Sequence, residues 1–217
     1  DGFKDLFNTY STQSNGGMPK VFLSEEGNKY VPWSKWSTDN KYNPELFNDS
    51  GIRAGDVADF DNDGDEDLIL QCYNKYCFGD PNEQYYADRH SDYDWDPVGV
   101  DSSNGFVLIN KDGDLSMENA IHFPKTPLGT NTKNDDMHVG DINGDGFVDV
   151  VSVYGKSDPY YVDRKIQILI NKDGTSLVDE TDSRMPTDLR DENSGHAEGL
   201  IMLVDYDGDG DLDIYDF

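Results

Sequence analysis

The sequence carries one nine-residue pattern three times: Asp59-Phe-Asp-Asn-Asp-Gly-Asp-Glu-Asp67, Asp141-Ile-Asn-Gly-Asp-Gly-Phe-Val-Asp149 and Asp205-Tyr-Asp-Gly-Asp-Gly-Asp-Leu-Asp213. Acidic or amide side chains stand at positions 1, 3, 5 and 9, and glycine at position 6 allows a sharp turn. Each copy runs straight into an apolar, β-branched segment: Asp67-Leu-Ile-Leu, Asp149-Val-Val-Ser-Val and Asp213-Ile-Tyr. Each loop therefore opens into a strand rather than a helix. The chain begins Asp1-Gly-Phe-Lys-Asp5-Leu6, which fits the second half of the same pattern.

A second element alternates with the first: Val21-Phe-Leu-Ser-Glu-Glu-Gly27, Val107-Leu-Ile-Asn-Lys-Asp-Gly113 and Ile168-Leu-Ile-Asn-Lys-Asp-Gly174. It reads as a strand running into a tight hairpin turn, glycine supplying the positive φ. The alternation defines a unit of about 60 residues, with an insertion of roughly 20 in the middle copy between acidic loop and hairpin. Each unit holds four strand candidates; in the third they are His138–Asp141, Val150–Tyr154, Lys165–Asn171 and Ser176–Glu180. No stretch shows helical periodicity with caps. The fold class expected is all-β, made of β-propeller blades of four antiparallel strands, about three blades plus a partial one. Residues 1–217 then form a single propeller region with repeats near 1–50, 51–134, 135–196 and 197–217. So few blades do not close a ring, and the expectation is a window on a larger seven- or eight-bladed propeller. Open edge strands that pair with another copy are the alternative.

The loop chemistry points to Ca²⁺, a hard cation that takes six to eight oxygens at about 2.3–2.6 Å. Carboxylates on alternate residues of a curling loop converge on such an ion. Positions 1, 3, 5 and 9 would give side chains and position 7 its carbonyl. The expected ligands are Asp59, Asp61, Asp63 and Asp67 with Asp65; Asp141, Asn143, Asp145 and Asp149 with Phe147; and Asp205, Asp207, Asp209 and Asp213 with Asp211. That makes three complete Ca²⁺ sites, and Asp1 and Asp5 would be half of a fourth. An EF-hand or dockerin-type loop needs a bidentate Glu at its twelfth position, opening a helix. Leu70, Ser152 and Asp216 stand there instead. No Gly-Gly-x-Gly-x-Asp run exists, so glycine-rich toxin-type repeats are excluded as well.

The acidic loop leading into Asp-Leu, Asp-Val or Asp-Ile, followed by Leu-Ile-Asn-Lys-Asp-Gly, resembles the FG-GAP/VCBS-type repeats of integrin-like β-propellers. Residues 199–214, Gly-Leu-Ile-Met-Leu-Val-Asp-Tyr-Asp-Gly-Asp-Gly-Asp-Leu-Asp-Ile, fit especially well. The Phe-Gly-Gly-Ala-Pro signature itself is missing, with Val153-Tyr-Gly155 its nearest counterpart, which favours the broad secreted or surface-attached microbial relatives over an integrin subunit. The resemblance implies calcium-stabilised blades, a secreted or cell-surface location and, often, adhesion or glycan binding.

Composition narrows the partners. With 17 basic and 45 acidic residues the chain carries a net charge of -28. Such a surface repels phosphates and anionic membranes, so neither nucleic acid nor a membrane is an expected partner. Thirteen Tyr, ten Phe and three Trp are too many aromatics for a disordered acidic segment. No apolar run approaches a membrane span. The only cysteines, Cys72 and Cys77, have no Cys or His close in sequence to complete a zinc site. If they flank a hairpin turn their Cα separation suits a disulfide, and with it an oxidising compartment.

Strand parity assigns the loops to faces. The acidic loops and the turns at Gly27, Gly113 and Gly174 share one face. The long connections, 11–19, 77–105, 155–164 and those between units, share the other. Long loops on a rigid scaffold are where function usually sits. Here they carry Tyr85, Tyr86, Tyr93, Trp95, Tyr160 and Tyr161, which could stack on sugar rings, grip a protein, or pack on one another. Trp33 and Trp36 read as packing residues. His90, His122, His138 and His196 fall in no nucleophile or zinc pattern. The expectation is an extracellular calcium-binding module for adhesion or for binding a glycan or protein. Its alternative is the catalytic or non-catalytic propeller of a secreted polysaccharide-degrading enzyme, with a Tyr or His base where catalytic.

Overall fold

The computed structural model describes residues 6–8, 20–25, 27, 29–32, 52–72, 105–111, 114–126, 132–156, 162–185 and 199–216. They form thirteen strands and one helical turn in four antiparallel sheets. The first sheet has three strands, β1 (Leu6–Asn8), β2 (Lys20–Glu25) and β3 (Lys29–Pro32). The second is a four-stranded meander of β4 (Ile52–Ala58), β5 (Asp67–Cys72), β6 (Gly105–Lys111) and β7 (Asp114–His122). The third repeats that meander with β8 (Thr132–Gly140), β9 (Asp149–Lys156), β10 (Val162–Lys172) and β11 (Ser176–Asp179). The fourth holds β12 (Ile201–Val204) and β13 (Asp213–Asp216). The turn α1 (Thr181–Arg184) follows β11. It was not expected from the sequence. The Thr181 hydroxyl holds it in place, accepting the Ile168 N–H at 2.8 Å and donating to Asp179 at 2.5 Å.

Side-chain alternation explains how the sheets stack. Successive residues of a strand point to opposite faces. In β9 and β10, Val150 and Leu169 join Phe60, Ile69, Val107, Ile109 and Met137 in a core between the second and third sheets. Their neighbours Val151, Ile168 and Ile170 join Ile201, Leu203 and Ile214 in a second core toward the fourth sheet. Both strands are buried on both faces, which is why they read as nearly continuous β-branched runs. Each fully buried side chain of this size contributes about 1.5–3 kcal/mol. Arg164 of β10 also pairs with Asp216 of β13, adding a charged clasp between the third and fourth sheets.

The strands preceding the acidic loops lie side by side: β4 packs on β8, and β8 on β12. This is a blade-like stacking of repeated sheets with equivalent strands along one line. Among the described residues the sheets form no closed ring. β8 starts well before the candidate His138–Asp141. Its first half, Thr132-Lys-Asn-Asp-Asp, is polar, and what makes it a strand is pairing with β9 across a bulge between Asn134 and Asp136. The Asp136 carboxylate then accepts the Ile201 N–H of the next sheet at 2.9 Å. On the fourth sheet, the face opposite its core leaves Leu200, Met202, Val204 and Tyr215 exposed.

Candidate cation-binding loops

The three acidic loops connect β4 to β5, β8 to β9 and β12 to β13, and they fold alike. The position-1 carboxylate accepts backbone N–H groups from across the curl. Asp59 takes those of Asp63 and Gly64, both at 3.0 Å. Asp141 takes Gly144 and Gly146, both at 2.8 Å. Asp205 takes Gly208 at 2.7 Å and Gly210 at 3.1 Å. Position 3 accepts the N–H of position 5: Asp61 from Asp63, Asn143 from Asp145 and Asp207 from Asp209. Position 5 accepts that of position 7: Asp63 from Asp65, Asp145 from Phe147 and Asp209 from Asp211. Each loop is thus a chain of Asx turns. Position 6 has φ of 100° at Gly64, 91° at Gly146 and 102° at Gly210.

Position 9 behaves differently. Asp67 and Asp149 are fully buried at the start of the following strand. Asp67 accepts the Phe60 N–H at 2.8 Å on one oxygen and the Asn110 N–H at 2.7 Å on the other. Asp149 does the same with Ile142 at 3.1 Å and Asn171 at 2.8 Å. Asp213, which is exposed, accepts Tyr206 N–H at 3.0 Å. The two buried position-9 carboxylates therefore tie their acidic loops to the Leu-Ile-Asn-Lys-Asp-Gly element of the adjacent strand. Read from the sequence as ligands alone, they are also the latch between the two repeated motifs. Burial pushes the Asp149 carboxyl up to about 6, with Asp145 and Asp141 adding to the rise and the two N–H bonds opposing it. Asp67 is raised for the same reasons, burial first. The exposed Asp145 is lowered by the Phe147 N–H and by the Asn143 amide.

Asn171 is a residue whose importance the sequence did not disclose. It is fully buried, and its amide donates to the carbonyls of Phe60 at 2.8 Å and Val148 at 3.1 Å. Its own oxygen accepts the Gly174 N–H at 2.8 Å. One side chain thus fastens the loop of the second sheet, the loop of the third and the β10–β11 turn. Gly174, at φ 71°, presses on the first of these loops so closely that a Cβ would stand 2.5 Å from the Asp61 Cα. The acidic loops and the hairpin turn share one face, and the ends of β5 and β9 lie at the other.

One carboxylate oxygen from each of Asp59, Asp61 and Asp67 lies within 4.8 Å of the other two, and the same holds for Asp205, Asp207 and Asp209. Asp63, though on the same curl, is not in the first group, and Asp213 is not in the second. In the middle loop the third position is an amide, Asn143, whose nitrogen donates to Asp145 at 2.9 Å. All the donors are oxygens, the set a hard divalent cation takes. Asp1, Asp5, Cys77, Tyr85, Tyr86, Tyr93, Trp95, Tyr160 and Tyr161 lie outside the described residues, as does the side chain of Cys72.

The fold and loops define an all-β repeat protein with one acidic loop between the first two strands of a unit. Residues 141–215, from the second acidic loop through β13, match the family model of the FG-GAP-like repeat. That segment is accordingly an FG-GAP-like repeat, which supports the FG-GAP/VCBS resemblance the motifs indicated. No curated protein and no solved structure matches it. Among the described residues no helix is long and apolar enough to cross a membrane.

Proposed function

We propose that the acidic loops bind Ca²⁺ and that the ion is structural. It would hold loops whose clustered carboxylates otherwise repel within an extracellular module for adhesion or for binding a glycan or protein. The observation that carries the reading is the convergence of three carboxylates in each of two loops folded alike. Asp59, Asp61 and Asp67, and Asp205, Asp207 and Asp209, would hold the ion. Asp141, Asn143 and Asp145 would do so in the middle loop. FG-GAP-type repeats are typical of extracellular proteins and often bind calcium, which supports the same reading. The stacked sheets would be blades of a seven- or eight-bladed ring. The exposed Leu200, Met202, Val204 and Tyr215 would be the face a further blade covers.

Thermal melting in excess calcium and in chelator tests the structural role. Each site held at 100 times its dissociation constant adds about 2.7 kcal/mol, so the midpoint should rise by several degrees. An unchanged midpoint would sink the proposal. For the binding role, a glycan array run beside a polysaccharide-degradation screen decides: retention of a glycan supports it, and turnover of a polymer overturns it.

A further inference from the structure

The three loops demand a positive φ at position 4 as well as at position 6. Two loops meet the demand at position 4 with glycine, Gly144 at φ 74° and Gly208 at φ 79°. The first loop has Asn62 there, at φ 60°. Asparagine is among the few side-chain-bearing residues that tolerate this region, and glycine does so at less cost. Its side chain has a use in this fold. The Asn62 amide leaves its own loop and donates to the Gly146 carbonyl of the neighbouring loop at 3.0 Å. Asn62 sits between Asp61 and Asp63, and Gly146 sits between Asp145 and Phe147. The bond therefore joins the middle of one ligand arc to the middle of the next.

We propose that Asn62 couples these two loops, so that a cation held in either favours binding in the other. The inference rests on the calcium reading above. A bound ion fixes the arc that carries it. Fixing Gly146 orients the carbonyl that receives Asn62, and a held Asn62 orders Asp61 and Asp63 on either side, so the second ion meets a loop with less freedom to lose. Charge opposes the coupling, because one bound cation makes the next loop less attractive. That term is screened over about 8 Å at physiological ionic strength and does not depend on the Asn62 amide. The coupling is specific to this pair, since the glycines at position 4 of the other two loops have no side chain to reach a neighbour.

Calcium isotherms of the full chain at 0.15 M salt test it, with D209N present throughout to weaken the third loop. D145N weakens the second loop while keeping an amide oxygen for its turn. N62G removes the inter-loop bond and is suited to the positive φ. With Asn62 present, D145N should lower the affinity of the first loop roughly twofold to tenfold, the range set by one neutral hydrogen bond. With N62G the same change should lower it at least twofold less. An equal effect of D145N in both backgrounds, with calcium still bound, overturns the coupling and leaves the calcium reading intact. No calcium binding to any loop of the unaltered chain overturns both.

Discussion

Replacing Asn171 by alanine should be among the most damaging single changes in the described part of the chain, although no ion is expected to touch it. The substitution removes two donated bonds, to Phe60 O at 2.8 Å and Val148 O at 3.1 Å, and one accepted from Gly174 N at 2.8 Å. Phe60 and Gly174 are buried, so water does not replace the lost partner. A buried polar group left without its partner costs about 1–3 kcal/mol, and a partly exposed one less. Two buried losses and one partial loss come to about 3–5 kcal/mol. A domain of ordinary stability has about 5–15 kcal/mol in all. Urea unfolding followed by circular dichroism, in saturating calcium, should show the midpoint falling by about a fifth or more. The variant N171D discriminates further. It keeps an acceptor for Gly174 but sets a carboxylate against two carbonyl oxygens, so it should be less stable than N171A. A loss below about 1 kcal/mol in N171A, or native stability in N171D, would refute the role assigned to this amide.

Two further expectations concern the same face. Gly174→Ala places a Cβ against the Asp61 backbone at a φ of 71°, so it should cost about 2–4 kcal/mol by thermal melting and weaken calcium binding at the first loop; native behaviour would mean that turn and loop are not in contact. For pH, burial pushes the folded carboxyl of Asp149 up to about 6 from its ordinary value of 3.8. Because the folded value is the higher one, its contribution to stability is fully present below about 3.8 and lost as pH rises through about 6. The full span is worth ~3 kcal/mol, of which about half falls between pH 7.5 and 5. In chelator the chain should therefore gain stability as pH falls across that window, and Asp149→Asn should lose that part of the gain. In saturating calcium, protons compete with the ion and the gain should vanish. A chelated chain whose stability is flat or falling over the window would contradict the assignment.

The parts of this structure legible in the sequence are those set by local chemistry. The acidic loops, the strands after them and the hairpin at Gly174 each follow from residues within about ten positions. The runs of β9 and β10 stand out because burial on both faces removes polar residues from them. What escaped was set by distance. The first half of β8 is polar, and its strand comes from pairing with β9 and from the Asp136 bond to the fourth sheet. The latch role of Asp67 and Asp149 depends on N–H groups of Asn110 and Asn171, far along the chain. A signal for it was present: both asparagines stand in the same slot of an element that accompanies a full acidic loop. In the first sheet Ser24 occupies that slot, and its hydroxyl accepts the Gly27 N–H at 3.0 Å as Asn171 accepts that of Gly174. Serine thus keeps the turn-closing half of the role. It has no amide nitrogen to donate to two carbonyls at once.

The loops also separate what the fold requires from what it does not. Asp67 and Asp149 are fixed by the fold: each is buried, with an N–H group on both oxygens. Positions 1, 3 and 5 shape the curl through Asx turns, and an asparagine oxygen serves there as well, as Asn143 shows by accepting the Asp145 N–H at 2.8 Å. Yet eight of these nine positions are aspartate. Like charges this close destabilise a loop by their mutual repulsion. Neutral asparagine would make the same turns without that cost, so turn geometry alone gives no reason for the carboxylates. A divalent cation does, because it reverses the sign of the electrostatic term and makes each added charge favourable. The charge that is surplus to folding, more than the shape of the loops, is what directs the reading of this face toward an ion.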